Sequence, residues 1–487
     1  MTDEHPLIEQ IRQIEGTSAQ GSLCLGHNDH TVRIHFQNGL IEAVSSNLAE
    51  FQLGQYLLRD GFIDSSNLSR LLKESFRRKI ALGEIALRLS VLDLGDLYQL
   101  VHRQALQLFK RCLENGFQIR SFEASSQSFH VAAHMKLDFL LLELARDRSA
   151  TFEVSENRRF MLKKERDYSV FPWAPQEIFM LSQLSYPRTL AELVSQTGFE
   201  ESQVKRILNI LRQLELIEIS GDVDSRNAAL GDEAALPLEL LIPEVTNPVY
   251  DDKVEMTKTG PSFVSEQFKW LKFRIKELQG NRPAQVINVS SPDINDGKSL
   301  ISLNLALCFA RDPGRRVIIL DCDFRNPSLQ KYVAIPLRPG IIGYLQTAQL
   351  QPYCYMRRLG KLYVMTADGL ADDDPVGLLS GNKMRELISY LKKEFDTIIM
   401  DSPPLQPIPD SSILSNLADG TLIVVRSGKT PYGTVERALK CVDPGKLLGV
   451  VFNAVKPLMF NTYHDHRYYY YGKNHYPYYG RNYRKRR

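Results

Sequence analysis

The residues with the clearest capacity for chemistry are three consecutive ones, Gly297, Lys298 and Ser299. They end the segment SPDINDGKS, which follows the apolar run QVINVS and precedes the helical pattern LISLNLALCFA. A phosphate chain is bound by backbone N–H groups at a helix N-terminus, by a lysine that neutralises the β- and γ-phosphates, and by a hydroxyl that ligates Mg²⁺. The segment therefore predicts a site for nucleotide phosphates, with Pro292 standing where the general pattern has a glycine.

Carboxylates follow two further apolar runs. VIIL leads into Asp321 and Asp323, and TIIM leads into Asp401. The carboxyl ends of parallel strands form the ligand edge of an open α/β sheet, and carboxylates there bind Mg²⁺ directly or through water. We therefore expect all three aspartates to meet the phosphate-binding segment at one edge of a sheet.

The elements that must position these residues form a β-α-β series between about 263 and 457. The short apolar runs VINVS, VIILDCD, LYVMTA, TIIMDS, TLIVV and GVVFNAV are separated by helical patterns. Near-continuous apolar strands with crossovers predict a parallel sheet that is covered on both faces. The expected fold class is therefore α/β: a C-terminal phosphate-binding-loop (P-loop) domain with a mostly parallel sheet and helices on both faces.

The preceding residues predict an α+β region. Residues 21–45 alternate apolar and polar side chains and reverse at Asn38 and Gly39, which predicts a hairpin. Two aligned copies of one pattern follow, at Leu53–Leu68 and Leu82–Leu97, and each predicts a helix, a turn, and an aspartate that caps a second helix.

A helix-turn-helix or winged-helix unit is predicted next, with helix starts near Thr189 and Glu201 and a turn at Gly198. The helix ESQVKRILNILRQ carries few basic residues for a DNA reader, so we favour protein interaction over DNA recognition. A polar, proline-containing linker separates this unit from the P-loop domain. The expected divisions, in chain order, are 1–150, 165–220, the linker 221–262, 263–457 and the tail 458–487.

Composition narrows the class of protein further. A length of 487 residues suggests about three domains, and 43% hydrophobic with 24% charged residues excludes a wholly disordered or fibrous chain. Six scattered cysteines without a CxxC pair argue against a disulfide framework or a zinc ribbon. No apolar run reaches the roughly 20 residues of a membrane span, so we expect a cytoplasmic protein.

Charge and tyrosine are concentrated at the C-terminus. Residues 463–487 contain seven Lys or Arg and one Asp, whereas the whole chain has a net charge of only +3. The remaining chain is therefore net negative, and we expect no nucleic-acid partner. The tail should be a disordered extension, and nine of the 21 tyrosines lie in it. These tyrosines are Tyr463, Tyr468, Tyr469, Tyr470, Tyr471, Tyr476, Tyr478, Tyr479 and Tyr483.

The GKS, DCDFR and IIMDSPP motifs, in this order, resemble Walker A, A′ and B of the bacterial tyrosine kinases (BY-kinases) of capsule and exopolysaccharide biosynthesis. These kinases belong to the MinD/ParA-like P-loop superfamily. The resemblance extends to SEQFKWLKFRI, similar to the family's subunit-contact helix, in which Lys269 and Lys272 replace the usual arginines. It also includes DDPVGLLSGNKM, where Gly377 replaces a glutamate.

The resemblance implies ATP and Mg²⁺ as cofactors and assigns roles to particular residues. The implied catalytic residues are Lys298, Asp321, Asp323 and Asp401. The implied metal ligands are Ser299, Asp321, Asp323 and Asp401. The implied nucleotide-binding residues are Asn295, Asp296, Gly297, Lys298, Ser299, Leu300, Arg325 and Asn453. Which of Asp321 and Asp323 binds the metal and which is the base for the attacking phenol stays open.

The resemblance also implies a function. BY-kinases phosphorylate their own C-terminal tyrosines in trans, and the tail supplies such a cluster. The implied partners are a membrane activator (a polysaccharide co-polymerase protein) in trans, further copies of the chain, and a cognate tyrosine phosphatase. Peripheral recruitment to the inner face of the cell membrane would follow.

Two alternatives remain open. One is a MinD/ParA-like ATPase switch with the basic tail as a membrane anchor. The other is a signalling adaptor that binds ATP without turning it over, which the departures at Pro292, Lys269 and Gly377 raise.

Residues 16–150 resemble the PATAN-type domain of bacterial signalling proteins, which implies an interaction role. The LGxxL repeats also resemble the N-terminal domain of type II secretion ATPases. Cyclic-dinucleotide binders among those carry an arginine where Gln52 and Ala81 stand here.

Overall fold

The computed structural model describes most of the chain between residues 5 and 455. The described residues are 5–124, 135–147, 158–163, 166–220, 238–245, 248–278, 284–335, 339–347, 350–370, 374–406 and 408–455. None of the helices within these ranges is both long enough and apolar enough to span a bilayer. The predicted tail lies outside the described residues.

The N-terminal region contains a four-stranded antiparallel sheet in the order β3-β2-β1-β4. Its strands are β1 (Gly21–His27), β2 (His30–Gln37), β3 (Leu40–Ser46) and β4 (Gln118–Glu123). Between β2 and β3 the chain reverses at Asn38 and Gly39, whose φ angles are 52° and 78°. A two-residue type I′ turn needs positive φ at both positions, which asparagine and glycine tolerate. The predicted hairpin is therefore confirmed.

Six helices complete this region. They are α1 (Pro6–Gly16), α2 (Leu53–Arg59), α3 (Ser65–Arg78), α4 (Leu82–Arg88), α5 (Leu94–Glu114) and α6 (Leu137–Asp147). The aspartates that precede α3 and α5, Asp64 and Asp93, each accept a 2.8 Å hydrogen bond from the backbone N–H three residues on. Such caps satisfy otherwise unpaired helix donors, so the two predicted helix pairs with aspartate caps are confirmed. Ile34, Leu108 and Leu140 are buried between the sheet and the helices.

The start of α6 is capped by a half-buried glutamate from α1. Glu15 accepts a 2.7 Å hydrogen bond from the backbone N–H of Leu137. Burial raises the pKa of Glu15 to about 7, against the opposing effect of that hydrogen bond. The folded state therefore holds a proton that the unfolded state releases near its ordinary pKa of 4.5. Stability is lost as pH rises between these two values.

Replacing Glu15 by glutamine should remove this loss, since the neutral amide still accepts the Leu137 hydrogen bond. At pH 8 we expect the variant to be more stable than the wild type by roughly 2 kcal/mol, and at pH 4.5 to differ little. Thermal unfolding at both pH values measures the difference, with exposed Glu9→Gln on the same helix as the control. An equal effect of Glu15→Gln at both pH values would contradict the expectation.

A second unit has the winged-helix outline. Its helices are α7 (Pro175–Gln183), α8 (Leu190–Thr197) and α9 (Glu201–Gln213), and its strands are β5 (Arg159–Leu162), β6 (Arg188–Thr189) and β7 (Ile217–Ser220), in the order β6-β5-β7. The Thr189 hydroxyl accepts from the backbone N–H of Glu192 at 3.2 Å. In return, the Glu192 carboxylate accepts from the backbone N–H of Thr189 at 2.9 Å. Gly198 ends α8 with a φ of 69°. The predicted helix starts and turn are confirmed.

The prediction of a linker over 221–262 is wrong for the residues of that range that the structure describes, 238–245 and 248–262. A short helix, α10 (Leu238–Leu241), is followed by buried residues, among them Ile242, Val254 and Met256. The backbone N–H of Met256 donates to the buried side chain of Asn304 at 3.0 Å. This stretch has no helical or strand period, so its apolar residues form no recognisable pattern. Ile242, Val254 and Met256 are nevertheless buried in the cores of neighbouring elements.

The C-terminal region is built on a seven-stranded sheet in the order β10-β11-β9-β12-β8-β13-β14. Its strands are β8 (Val286–Ser290), β9 (Val317–Asp321), β10 (Arg357–Leu359), β11 (Leu362–Met365), β12 (Thr397–Asp401), β13 (Gly420–Arg426) and β14 (Leu447–Asn453). Its helices are α11 (Phe263–Leu278), α12 (Lys298–Ala310), α13 (Ile341–Gln346), α14 (Pro375–Ser380), α15 (Asn382–Glu394), α16 (Asp410–Leu417) and α17 (Tyr432–Leu439).

All strand pairs of this sheet are parallel except β10 with β11. Alternate strand residues enter two separate apolar cores, one on each face: Ile318 and Ile398 enter one, and Ile319 and Ile399 the other. The α/β fold class with a mostly parallel, doubly covered sheet is therefore confirmed, and the carboxyl ends of β8, β9 and β12 meet at one edge.

Candidate active site

The phosphate-binding segment connects the end of β8 to the start of α12. Asn295 and Gly297 have φ angles of 61° and 95°, so the loop turns sharply just before Lys298 begins the helix. A methyl group at Gly297 would lie 2.1 Å from the side-chain nitrogen of Asn453, which donates to the carbonyl of Asp296 at 2.8 Å. Glycine at 297 is therefore required both by the backbone and by the close approach of β14.

The lysine of this segment lies among carboxylates. Lys298 Nζ is 2.9 Å from Asp323 Oδ2, and both side chains are largely buried. Burial acts to lower the pKa of Lys298, but the negative charges of Asp401 and Asp323 outweigh it, so the pKa is raised. The ammonium group is therefore held charged in a site where it is the cation available to bind phosphate oxygens.

Two of the aspartates stand side by side on neighbouring strands. Asp321 of β9 pairs with Asp401 of β12 in the sheet register, and both are fully buried. Asp321 Oδ2 accepts from the backbone N–H groups of Ser328 and Leu329 at 3.1 and 3.2 Å. Asp401 Oδ1 accepts from the Ser302 hydroxyl at 3.1 Å. Burial raises the pKa of both carboxyls, and the neighbouring charge of Asp401 raises that of Asp321 further.

The donor set fits a magnesium ion that is held jointly by the protein and a nucleotide. Asp401 Oδ2 is buried and, in the described part of the chain, has no hydrogen-bond partner. Ser299 lies on the first turn of α12, and its hydroxyl is 2.6 Å from the hydroxyl of Ser328. Within the described residues no three His, Cys, Asp or Glu side chains converge as a complete metal site. Mg²⁺ at phosphate sites takes only one or two carboxylates and completes its shell with phosphate oxygens and water.

The remaining predicted nucleotide-binding residues surround this centre. The carbonyl of Asn295 accepts from the Arg426 guanidinium at 2.9 Å. Leu300 is half-buried on the first turn of α12, beside the second apolar core. The Arg325 guanidinium is paired with the buried Asp410, to which its Nε donates at 2.8 Å.

Three polar side chains that hold the site were not predicted from the sequence. Ser302 anchors Asp401, Ser328 joins Ser299 to the Asp321 turn, and the Thr430 hydroxyl donates to Asp296 at 2.6 Å. Ser302 could have been found, because it lies one helical turn after Lys298 on the same face. Ser328 and Thr430 lie in irregular segments, where spacing does not reveal a contact.

The nine tail tyrosines predicted as phosphorylation sites lie outside the described residues. They are Tyr463, Tyr468, Tyr469, Tyr470, Tyr471, Tyr476, Tyr478, Tyr479 and Tyr483.

Comparison with known proteins gives a consistent set of relatives, although no protein-family model matches the chain. Tyrosine-protein kinase CpsD of Streptococcus pneumoniae is 30% identical over 181 residues, which are 36% of this chain and 78% of that protein. Tyrosine-protein kinase YwqD of Bacillus subtilis is 28% identical over 197 residues, 40% of this chain and 83% of that protein. The succinoglycan biosynthesis transport protein ExoP of Rhizobium meliloti is 30% identical over 198 residues, but the match spans only 25% of its length.

Proposed function

Because the chain belongs to the family of bacterial tyrosine-protein kinases, we propose that it is an ATP-dependent autokinase that phosphorylates its own tail tyrosines in trans. The supporting observation is the placement of one charged lysine and three aspartates at the mouth of a phosphate-binding loop. A site for ATP and Mg²⁺ together needs this combination, because phosphoryl transfer depends chiefly on positioning and charge neutralisation.

The contacts of the two A′ carboxylates favour different roles for them. Asp321 accepts from three backbone N–H groups, those of Ser328 and Leu329 at Oδ2 and that of Asp323 at Oδ1, so its position at the strand end is fixed, which suits a metal-side carboxylate. Asp323 Oδ2 is held by Lys298, and it would become free to accept a proton once Lys298 binds phosphate oxygens instead. A tyrosine phenol has a pKa near 10 and is mostly protonated at neutral pH, so a base beside it aids attack. Asp323 is the proposed base, and a bound Mg²⁺ would neutralise phosphate charge beside Asp321, Asp401 and Ser299.

Regulation of capsule or exopolysaccharide biosynthesis is part of the same proposal. The name of the relative ExoP supports it. We further propose a membrane activator protein in trans, a cognate tyrosine phosphatase, and recruitment to the inner face of the membrane. Residues 1–150 would serve as a PATAN-like interaction domain, and 165–220 as a protein-binding unit.

Self-association through α11 is proposed on the exposure of its aromatic side chains. Trp270 and Phe273 are 59% and 50% exposed. Lys269 is exposed and, within the described ranges, forms its ion pair with Glu266 of the same helix, whereas Lys272 turns inward and binds Asp312 at 2.7 Å. Of the two lysines that replace the family's arginines, only Lys269 is therefore placed to contact another subunit.

Mass spectrometry of the tail after incubation with Mg-ATP tests the proposed activity. We expect several phosphotyrosines among residues 463–483, and each adds a charge of about −1.5 to −2. The comparison variant replaces all nine tail tyrosines by phenylalanine, which keeps the rings and the basic charge but removes the acceptors. It should lose the label while binding ATP as the wild type does.

Each alternative function gives a different result in the same experiment. ATP hydrolysis with an unmodified tail would indicate a MinD/ParA-like switch. ATP binding with neither hydrolysis nor phosphotyrosine would indicate an adaptor. Either outcome would overturn the autokinase proposal.

A further inference from the structure

The helical repeat of the N-terminal region touches the catalytic region beside the aspartate site. The first turn of α5 lies against the short helical turn Leu329–Lys331. Gly95 of α5 faces Gln330 so closely that a methyl group at position 95 would lie 2.8 Å from Gln330 Cβ and 3.1 Å from its Cγ. Burial raises the pKa of Asp96 on the same turn of α5, whereas the charge of nearby Lys331 lowers it. The two elements are thus closely packed, with Lys331 near enough for its charge to act on Asp96.

The turn that α5 covers is joined directly to the phosphate and metal side of the site. Ser328 begins it, with its hydroxyl 2.6 Å from that of Ser299 and its N–H on Asp321. The next N–H, that of Leu329, binds the same carboxylate oxygen. A shift of this turn therefore moves two donors of Asp321 and the partner of Ser299 together.

On the side of the turn that faces α5, the contact is made by the buried side chain of Gln330. Gln330 donates from Nε2 to the carbonyl of Pro327 at 3.1 Å, but its Oε1 is buried without a hydrogen-bond partner in the described part of the chain. An unsatisfied buried oxygen costs free energy, so Gln330 itself gains little from its polar contacts. On the side that faces α5, the turn is held by the packing of Gln330 against Gly95.

We infer that the helical repeat of residues 53–114 regulates the kinase site by docking α5 on the 328–331 turn, with Ser328 as the positioning residue that transmits the contact. The inference rests on the proposed function, because it assigns Ser299 and Asp321 to the Mg-ATP complex. When α5 is docked, the turn holds Ser299 and Asp321 in the arrangement that binds magnesium with the nucleotide. A partner that pulls the repeat away lowers that affinity.

The inference is tested by titrating the full chain with a fluorescent ATP analogue twice, once in Mg²⁺ and once in EDTA. The ratio of the affinity in Mg²⁺ to the affinity in EDTA is the magnesium-dependent gain. Gly95→Ala introduces the clash with Gln330 while improving the helix propensity of α5. Gly16→Ala is the control, because a methyl group at position 16 meets nothing within 4 Å. Ser328→Ala and the double variant complete a thermodynamic cycle. Thermal unfolding of each variant verifies that it folds.

We expect Gly95→Ala and Ser328→Ala each to lower the magnesium-dependent gain in affinity by about fivefold or more. The double variant should lose no more of this gain than the more strongly affected single variant. The affinity of each variant measured in EDTA should equal that of the wild type. The Gly16→Ala variant should match the wild type in both titrations. The inference would be overturned if Gly95→Ala kept the wild-type ratio of affinities in Mg²⁺ and EDTA. It would also be overturned if the losses of the two single variants multiplied in the double variant, because the two residues would then act independently. A wild type that binds no nucleotide would refute the proposed function itself.

Discussion

Replacing Lys298 by methionine is expected to lower tail phosphorylation by at least about a hundredfold, the usual cost of removing one charged group from a transition state. Lys298 is the cation that the three aspartates surround, and its pKa is raised there. Methionine keeps the length of the side chain but carries no charge, so nucleotide phosphates would face uncompensated carboxylates. Phosphotyrosine per chain after incubation with Mg-ATP measures the loss.

Lys440→Met is the matched control for this substitution. Lys440 lies in the same region, is 71% exposed, and in the described part of the chain pairs with Glu436 one helical turn away. Exposed ion pairs contribute little to stability, so this variant should phosphorylate its tail as the wild type does. Phosphorylation of Lys298→Met at the wild-type level would exclude the proposed phosphate site, whereas equal losses in both variants would indicate a general effect on the fold.

Replacing Asp401 by asparagine is expected to reduce activity by a factor of a hundred or more and, without metal, to make the protein more stable. Asp401 carries a buried oxygen without a hydrogen-bond partner among the described residues. Burial raises its pKa, and so does the charge of Asp323, against the opposing attraction of Lys298. Asparagine has the same shape and no charge, so the folded state no longer has to bury a charge at this position. We expect a gain of about 1–2 kcal/mol above neutral pH, and none at low pH, where Asp401 is protonated.

Thermal unfolding with and without Mg-ATP separates the two effects of this substitution. The wild type should gain stability when Mg-ATP is added, whereas Asp401→Asn should not. Asp252→Asn is the control, since Asp252 is exposed and distant in sequence from the site strands. A variant that is destabilised without metal, or that still responds to Mg-ATP like the wild type, would show that Asp401 is a structural rather than a functional carboxylate.

The strand-end aspartates could be placed from the sequence because parallel strands share one carboxyl edge. That rule brings Asp321 and Asp401 opposite each other, as the register shows. The sequence could not show that Lys298 pairs with Asp323 or that Arg325 pairs with Asp410. Those choices depend on the side-chain conformations of a packed site rather than on spacing.

Contacts between distant segments were the least predictable part of the structure. The stretch after α10 has the composition of a linker, but Ile242, Val254 and Met256 each fill a space that another element leaves open. Ser328 is similar, because its partner Ser299 lies 29 positions away in the chain. Periodicity identifies helices and strands that bury one face of their own. It does not identify single residues that pack into the core of a different element.

The burial of Ile242, Val254 and Met256 limits how this kinase can be exchanged between proteins. Matches to the relatives cover about 40% of the chain, which suggests a portable catalytic module. Yet Val254 and Met256 belong to the second core of the sheet, together with Phe309 of α12. A graft that started at α11 would leave that hydrophobic surface open to water and prone to aggregate, so a working hybrid should carry the preceding twenty or so residues with it.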